Sequence, residues 1–174
     1  LGLSVSLFPL VVDQPYELQA GEKKTHTLWM SFALKDDKTE FFTDVEKPVS
    51  LILEPQYIAS THVLPYFDGA LVKDPIDSII AQGLSGESNF FKKREVVDEY
   101  GWRNFGDIYA DHETLEYTGS DIFVSHYNNQ YDPLYGFIRQ YLNTGKQEWF
   151  ELADDLAKHI KDIDIYNTEE DRDE

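Results

Sequence analysis

The last third of this chain is governed by one pattern: from Asp132 to Ile163, apolar side chains recur at intervals of three and four. That period lays a stripe along a helix and is incompatible with a strand. Asp132 followed by Pro133 supplies an N-cap with proline at the first helical position. Leu134, Ile138, Tyr141 and Leu142 then share a face until "NTGK" stops the helix with Gly145 at its C-terminal cap. Phe150, Ala153, Leu156, Ala157, Ile160 and Ile163 mark a second helix with acids and lysines on its other face. So short a turn makes the two helices antiparallel neighbours. One partner cannot cover both stripes, so further hairpins are expected, as in a ring of stacked helical pairs. The chain opens at Leu1 and stops in "NTEEDRDE", and a fragment broken off inside such a ring is therefore expected.

Upstream the period changes. "LGLSVSLF" and "KTHTLWMSFAL" alternate apolar with small or polar residues, "PVSLILEP" is an apolar run between prolines, and "QAGEKK" and "KDDKTE" read as turns. These predict antiparallel sheet packed on sheet up to about residue 75. Residues 76–100 read as a linker or crossover, within which Pro75 and Asp77 can open a short helix through Ile79, Ile80 and Leu84, ended by Gly83 or Gly86. The expected fold class is thus α+β: an antiparallel β-sandwich part over 1–75, the crossover, and the first helical hairpin of an incomplete α/α toroid over 101–174.

Fifteen basic against thirty-three acidic side chains leave a net charge of −18, which repels nucleic acid and anionic lipid alike. Neither a nucleic-acid nor a membrane partner is expected, and no apolar run has the roughly 20 residues needed to span a bilayer. With no cysteine, thiol catalysis and zinc–thiolate sites are excluded, and the compartment is left open. A content of 41% hydrophobic and 14% aromatic residues is enough for a folded core.

Two polar-aromatic clusters lie between the strand-like region and the hairpin: "YGWRNFGDIYADHE" and "SHYNNQYDPLYG". Trp102, Asn104, Asp107, Asp111, Glu113, Asn128 and Asn129 combine groups that stack with groups that hydrogen-bond, the mixture a sugar site needs. Phe105 and Ile108 in the same stretch are assigned to packing, and Asp132 to its cap. His112 and His126 are candidate bases, while His26, His62 and His159 read as structural, His159 because a cation near a helix C-terminus favours the dipole. "DIDIYNTEEDRDE" starts like a calcium loop at Asp162 and Asp164, but Tyr166 stands where a third ligand belongs and no glycine follows, so an EF-hand is rejected. No cofactor is expected; a looser calcium site would have to be built from Asp107, Asp111 and Glu113.

These two clusters, with "WFELADDLAKHIKDIDIYNT", resemble the exo-rhamnogalacturonan lyase family and its YetA-like bacterial relatives. The resemblance spans about 100–168, and "ELQAGEKKTHTLWMSF" looks like a strand pair of that family's central sandwich. It implies a pectin-degrading polysaccharide lyase that cleaves the galacturonate–rhamnose backbone of rhamnogalacturonan by β-elimination, with an acidic plant polysaccharide as partner. For that chemistry Arg103 is the candidate carboxylate clamp, and His112, His126 and Tyr127 are candidate acid and base. A glycoside hydrolase using Asp107, Asp111 or Glu113, and a non-catalytic sugar-binding or structural piece, are the alternatives. Taken alone, residues 1–174 are expected to show little or no turnover.

Overall fold

The computed structural model describes residues 2–8, 16–32, 45, 48–69, 75–109, 116–126 and 128–168. Within them the regular elements are helical: α1 (Pro55–Thr61), α2 (Pro75–Ser85), α3 (Phe90–Val97), a 3-10 turn (Asn128–Tyr131), α4 (Pro133–Thr144), α5 (Gln147–His159) and a π-helical turn (Ile160–Asp164).

The hairpin of α4 and α5 forms as its sequence demands. Asp132 accepts from the backbone N–H of Tyr135 at 3.3 Å, and Gly145, with φ 66°, donates its N–H to the carbonyl of Tyr141 at 2.7 Å. Only Gly145 and Lys146 join the helices. Their seam buries Phe137, Trp149, Leu152, Ala153 and Leu156, the last two essentially completely. Phe137 stacks on Trp149 with centroids 5.8 Å apart, and Phe90 of α3 meets both rings edge-on at 5.1 and 6.2 Å. The buried stripe of α5 therefore runs through Trp149 and Leu152 as well as the expected Ala153 and Leu156. Phe150 is displaced to the flank, against Tyr141.

The expected β-sandwich is absent: among the described residues there is no strand and no sheet. A strand exists only as a hydrogen-bonded pair, and the alternating segments find no ladder partner. Leu3 and Phe32 of the alternating segments, and Val49 and Leu51 of the apolar run, stand exposed. "QAGEKK" does make a turn, with Glu22 N–H on the Gln19 carbonyl at 3.0 Å, whereas "KDDKTE" lies outside the described residues. Immediately after "PVSLILE" comes helix α1, with Pro55 in its first turn. Ile58 of α1 is buried, and α1 lies against α4, reinforced by Tyr141 Oη donating to the Leu51 carbonyl at 3.4 Å and Arg139 to the Tyr66 carbonyl at 2.5 Å.

Residues 76–100, read as a linker or crossover, are mostly helical. The anticipated short helix through Ile79, Ile80 and Leu84 is α2, which runs past Gly83 and ends before Gly86. Gly83 is needed mid-helix because a Cβ there would lie 2.7 Å from the Phe90 ring and 3.1 Å from Trp149. Asn89 caps α3 by accepting from Lys92 N–H at 2.9 Å. Arg94, buried under Phe105 and Phe91, pairs with Asp155 of α5 at 2.9 Å. Burial pushes the Asp155 carboxyl above its ordinary range, against the opposing pull of that guanidinium.

The seam sets two stability predictions. Leu156→Ala should cost about 2 to 5 kcal/mol, as buried leucine truncations do. Gly83→Ala should destabilise although alanine is the better helix former by about 1 kcal/mol, because overpacking costs about 1 to 3 kcal/mol. Denaturant titration of each variant measures both; a Gly83→Ala protein more stable than its parent would refute the close approach of the rings.

Candidate functional site

The polar turn after α3 is seated on the hairpin by one glycine. Gly106 has φ 97°, and a Cβ on it would lie 2.3 Å from the Asp155 carbonyl oxygen, so the turn can touch the α5 backbone only through glycine. Within the turn Phe105 N–H reaches the Gly101 carbonyl at 3.1 Å and Asp107 N–H the Asn104 carbonyl at 3.0 Å. Asp107, the next residue, is thereby carried into the interior beside the end of α5.

There two carboxylate–histidine groupings form. His126 Nε2 stands 3.0 Å from Glu99 Oε2; the glutamate side chain is 9% exposed and the imidazole 28%, so the pair has a buried orienting acid and a reachable ring. His159, buried at the last turn of α5, places Nε2 3.6 Å from Asp107 Oδ2 and 3.4 Å from Asp164 Oδ1. Its Nδ1 is buried without a hydrogen-bond partner. Asp164 arrives there because the chain leaves α5 through the π-helical turn, and it also accepts from Asn129 Nδ2 at 2.5 Å. Asp107 further accepts from the Ile108 N–H at 2.7 Å. Burial raises the Asp107 carboxyl above its ordinary range; the Ile108 amide and the two histidines pull the other way, and Asp164 adds to the rise.

Arg103 lies on another side of the turn. Its guanidinium meets both carboxylate oxygens of Glu22, with Nη2 to Oε2 at 3.0 Å, and sits 5.3 Å over the Trp102 ring. Trp102 is met edge-on by Phe8 at 5.8 Å and Tyr16 at 6.4 Å. The segment carrying Glu22 is tied to the π-helical turn: Lys23 N–H donates to the Asp162 carbonyl at 2.8 Å, and Thr25 donates through N–H and Oγ1 to the Asp162 carboxylate at 2.7 and 3.0 Å. Asp162, the first residue of the rejected calcium loop, is spent on this docking.

The structure thus gathers Asp107, Asn129 and His126 at one end of the hairpin and sets Trp102 and Arg103 together beside them in the chain. Asn104 contributes a backbone bond, and Asn128 enters the 3-10 turn. Asp111, His112, Glu113, Tyr127 and the side chain of Asn128 lie outside the described residues, and with Asp111 and Glu113 go two of the three ligands of the looser calcium site. Among the described residues no group of three or more histidines and acids is spaced to hold a metal ion. Sequence reasoning did not single out Glu99 as a partner of His126 or Asp164 as a partner of His159, and it read His159 as structural without the two acids that meet it. Its signal was the register: His159 falls three residues after Leu156, on the buried stripe.

Asp107 supplies a pH prediction. Because its folded-state affinity for the proton exceeds that in the unfolded chain, stability should rise as pH falls from neutrality through the raised folded value toward the ordinary carboxylate range. Asp107→Asn should lose that part of the rise, so parallel thermal melts should converge or diverge with pH; superimposable pH profiles would show that Asp107 is not desolvated.

Residues 48–170 match the family described as the PcRGLX-like protein C-terminal alpha/alpha toroid domain. No curated protein and no solved structure matches the chain significantly. The match covers α1 through the π-helical turn, including every grouping around Asp107 and His126, and begins ahead of the crossover expected over 76–100. The helical hairpin, its capping and this match agree: the chain belongs to the rhamnogalacturonan lyase-like family, through its C-terminal α/α toroid domain.

Proposed function

We propose that this chain is part of a polysaccharide lyase that cleaves the galacturonate–rhamnose backbone of rhamnogalacturonan by β-elimination, as in the exo-acting and YetA-like relatives it resembles. The observation that carries the reading, given the family, is the His126–Glu99 pair: a reachable imidazole held at 3.0 Å by a buried carboxylate. That carboxylate orients the ring, as a general base requires. In the elimination a base takes the C5 proton of galacturonate, the C4–C5 double bond forms as the C4–O bond breaks, and the departing oxygen receives a proton. His126 is assigned the first transfer; Tyr127 and His112 remain the candidates for the second.

The intermediate charge spreads onto the uronate carboxylate, which needs a fixed cation. Arg103 is the candidate, since a guanidinium pairs with a carboxylate through two parallel hydrogen bonds and this one already does so. Trp102 offers a stacking face for a pyranose, and Asn104, Asn128, Asn129, Asp111 and Glu113 are assigned to hydroxyls. Asp107 gives the hydrolase alternative its one support, because a buried carboxyl with a raised proton affinity is what a glycosidase acid requires. Its burial beneath the turn favours a structural and electrostatic part.

Incubation of the intact protein with rhamnogalacturonan should yield a product with the ultraviolet absorbance of the new double bond, and His126→Ala should lower that rate by about 10²- to 10⁴-fold. Reducing ends without the absorbance would establish hydrolysis and sink the elimination; binding with no product of either kind would leave only a sugar-binding module.

A further inference from the structure

The carboxylate site at Arg103 is filled by the chain itself. Glu22 approaches the guanidinium with both oxygens, the fork-to-fork arrangement a uronate would adopt. Its side chain is 10% exposed, while that of Arg103 is 31% exposed. The ion pair is set among aromatic rings. Arg103 stacks on Trp102, Phe8 and Tyr16 meet that indole, and His26 stands edge-on to Phe8 at 5.2 Å.

The segment that carries Glu22 is fastened by polar bonds. Glu22 Oε2 also accepts from Gln19 N–H at 2.8 Å, Gly21 O accepts from Asn167 N–H at 2.6 Å, and Lys23 and Thr25 hang on Asp162. Within residues 17–25 the one large apolar side chain, Leu18, is exposed, and the apolar contact made to the segment is the Tyr166 ring lying against Gly21. A segment held this way can open without exposing a core, and such elements occupy the low end of the local-stability range.

We propose that residues 17–25 form a strap whose Glu22 carboxylate occupies the uronate-carboxylate subsite at Arg103, so that an acidic sugar binds only by displacing it. This rests on the reading that the chain takes a uronic-acid polymer. The contact is autoinhibitory: apparent affinity falls by the fraction of molecules whose strap is open, so a strap closed in about nine of ten molecules weakens binding about tenfold.

The test is titration of the intact protein with D-galacturonate, followed by calorimetry and by the Arg103 Nε–H resonance. Glu22→Ala should bind about tenfold more tightly. Thr25→Val keeps Glu22 but removes the Oγ1–H bond to Asp162, one of the three bonds that Lys23 and Thr25 make to that residue, and it should also bind more tightly; an ion pair of purely structural value predicts weaker binding or none from this variant. Arg103→Ala should abolish binding in every background. The proposal is overturned if Glu22→Ala and Thr25→Val bind no more tightly than the parent, or if binding survives Arg103→Ala. Should Glu22→Ala fail to give a native melting transition, the Thr25→Val result and the displacement of the parent's Arg103 resonance by galacturonate decide; an unmoved resonance at saturation counts against the strap. Because no turnover is read, failure here is separable from failure of the elimination, which shows as absence of the unsaturated product.

Discussion

The approach of the Gly106 backbone to the Asp155 carbonyl fixes how the polar turn after α3 is seated on α5. A helix presents its carbonyls to a neighbouring segment only where that segment has no side chain in the way, and the positive φ of Gly106 turns its missing Cβ toward α5. From that contact Phe105 is placed under Arg94, Arg94 reaches Asp155, and Asp107 is directed to His159. The helical seam supplies the apolar burial, of order 25 cal/mol per Å². What it cannot supply is the position of the turn along α5, and that is set by a glycine and one buried ion pair.

The helical part of this arrangement was legible because its signals are local. Asp132, Pro133 and Gly145 each act within four residues, and the three-four period of α4 and α5 states which face is buried. The same local logic found α2 from Pro75 and Asp77. It failed on the β-sandwich because alternation shows only that a segment is compatible with a strand; pairing is a long-range property, and none of the alternating segments has a ladder partner among the described residues. It also missed α1, where Pro55 was read as the end of an apolar run and not as the first position of a helix.

The site was half legible for the same reason. Composition singled out the turn containing Trp102, Arg103 and Asp107, since clusters of stacking and hydrogen-bonding side chains are visible in one dimension. The partners were not visible: Glu22 is 81 positions from Arg103, Glu99 is 27 from His126, and Thr25 is 137 from Asp162. His159 was read as structural from the helix dipole alone, since a basic residue near a helix C-terminus has a sufficient local explanation there. Burial replaced that explanation. Once the ring lies on the core stripe, acids converging on it from the turn and from the π-helical turn become more consequential than the partial charge of the helix end.

Charge connects these local groupings to the molecule as a whole. At a net −18 the chain repels an acidic polymer at long range, and the repulsion persists to about a Debye length, near 8 Å at physiological ionic strength. An anionic ligand must therefore be captured at short range by a cation whose attraction exceeds the surrounding field, and in the turn that cation is Arg103, desolvated on one side by Trp102. A carboxylate belonging to the chain meets no such approach barrier, because its attachment holds it next to the guanidinium whatever the net charge. The acidity that leaves Arg103 valuable to an acidic ligand thus also makes an internal acid its readiest partner. In the proposed strap the bonds of Lys23 and Thr25 to Asp162, one to three residues beyond Glu22, hold that carboxylate beside the guanidinium.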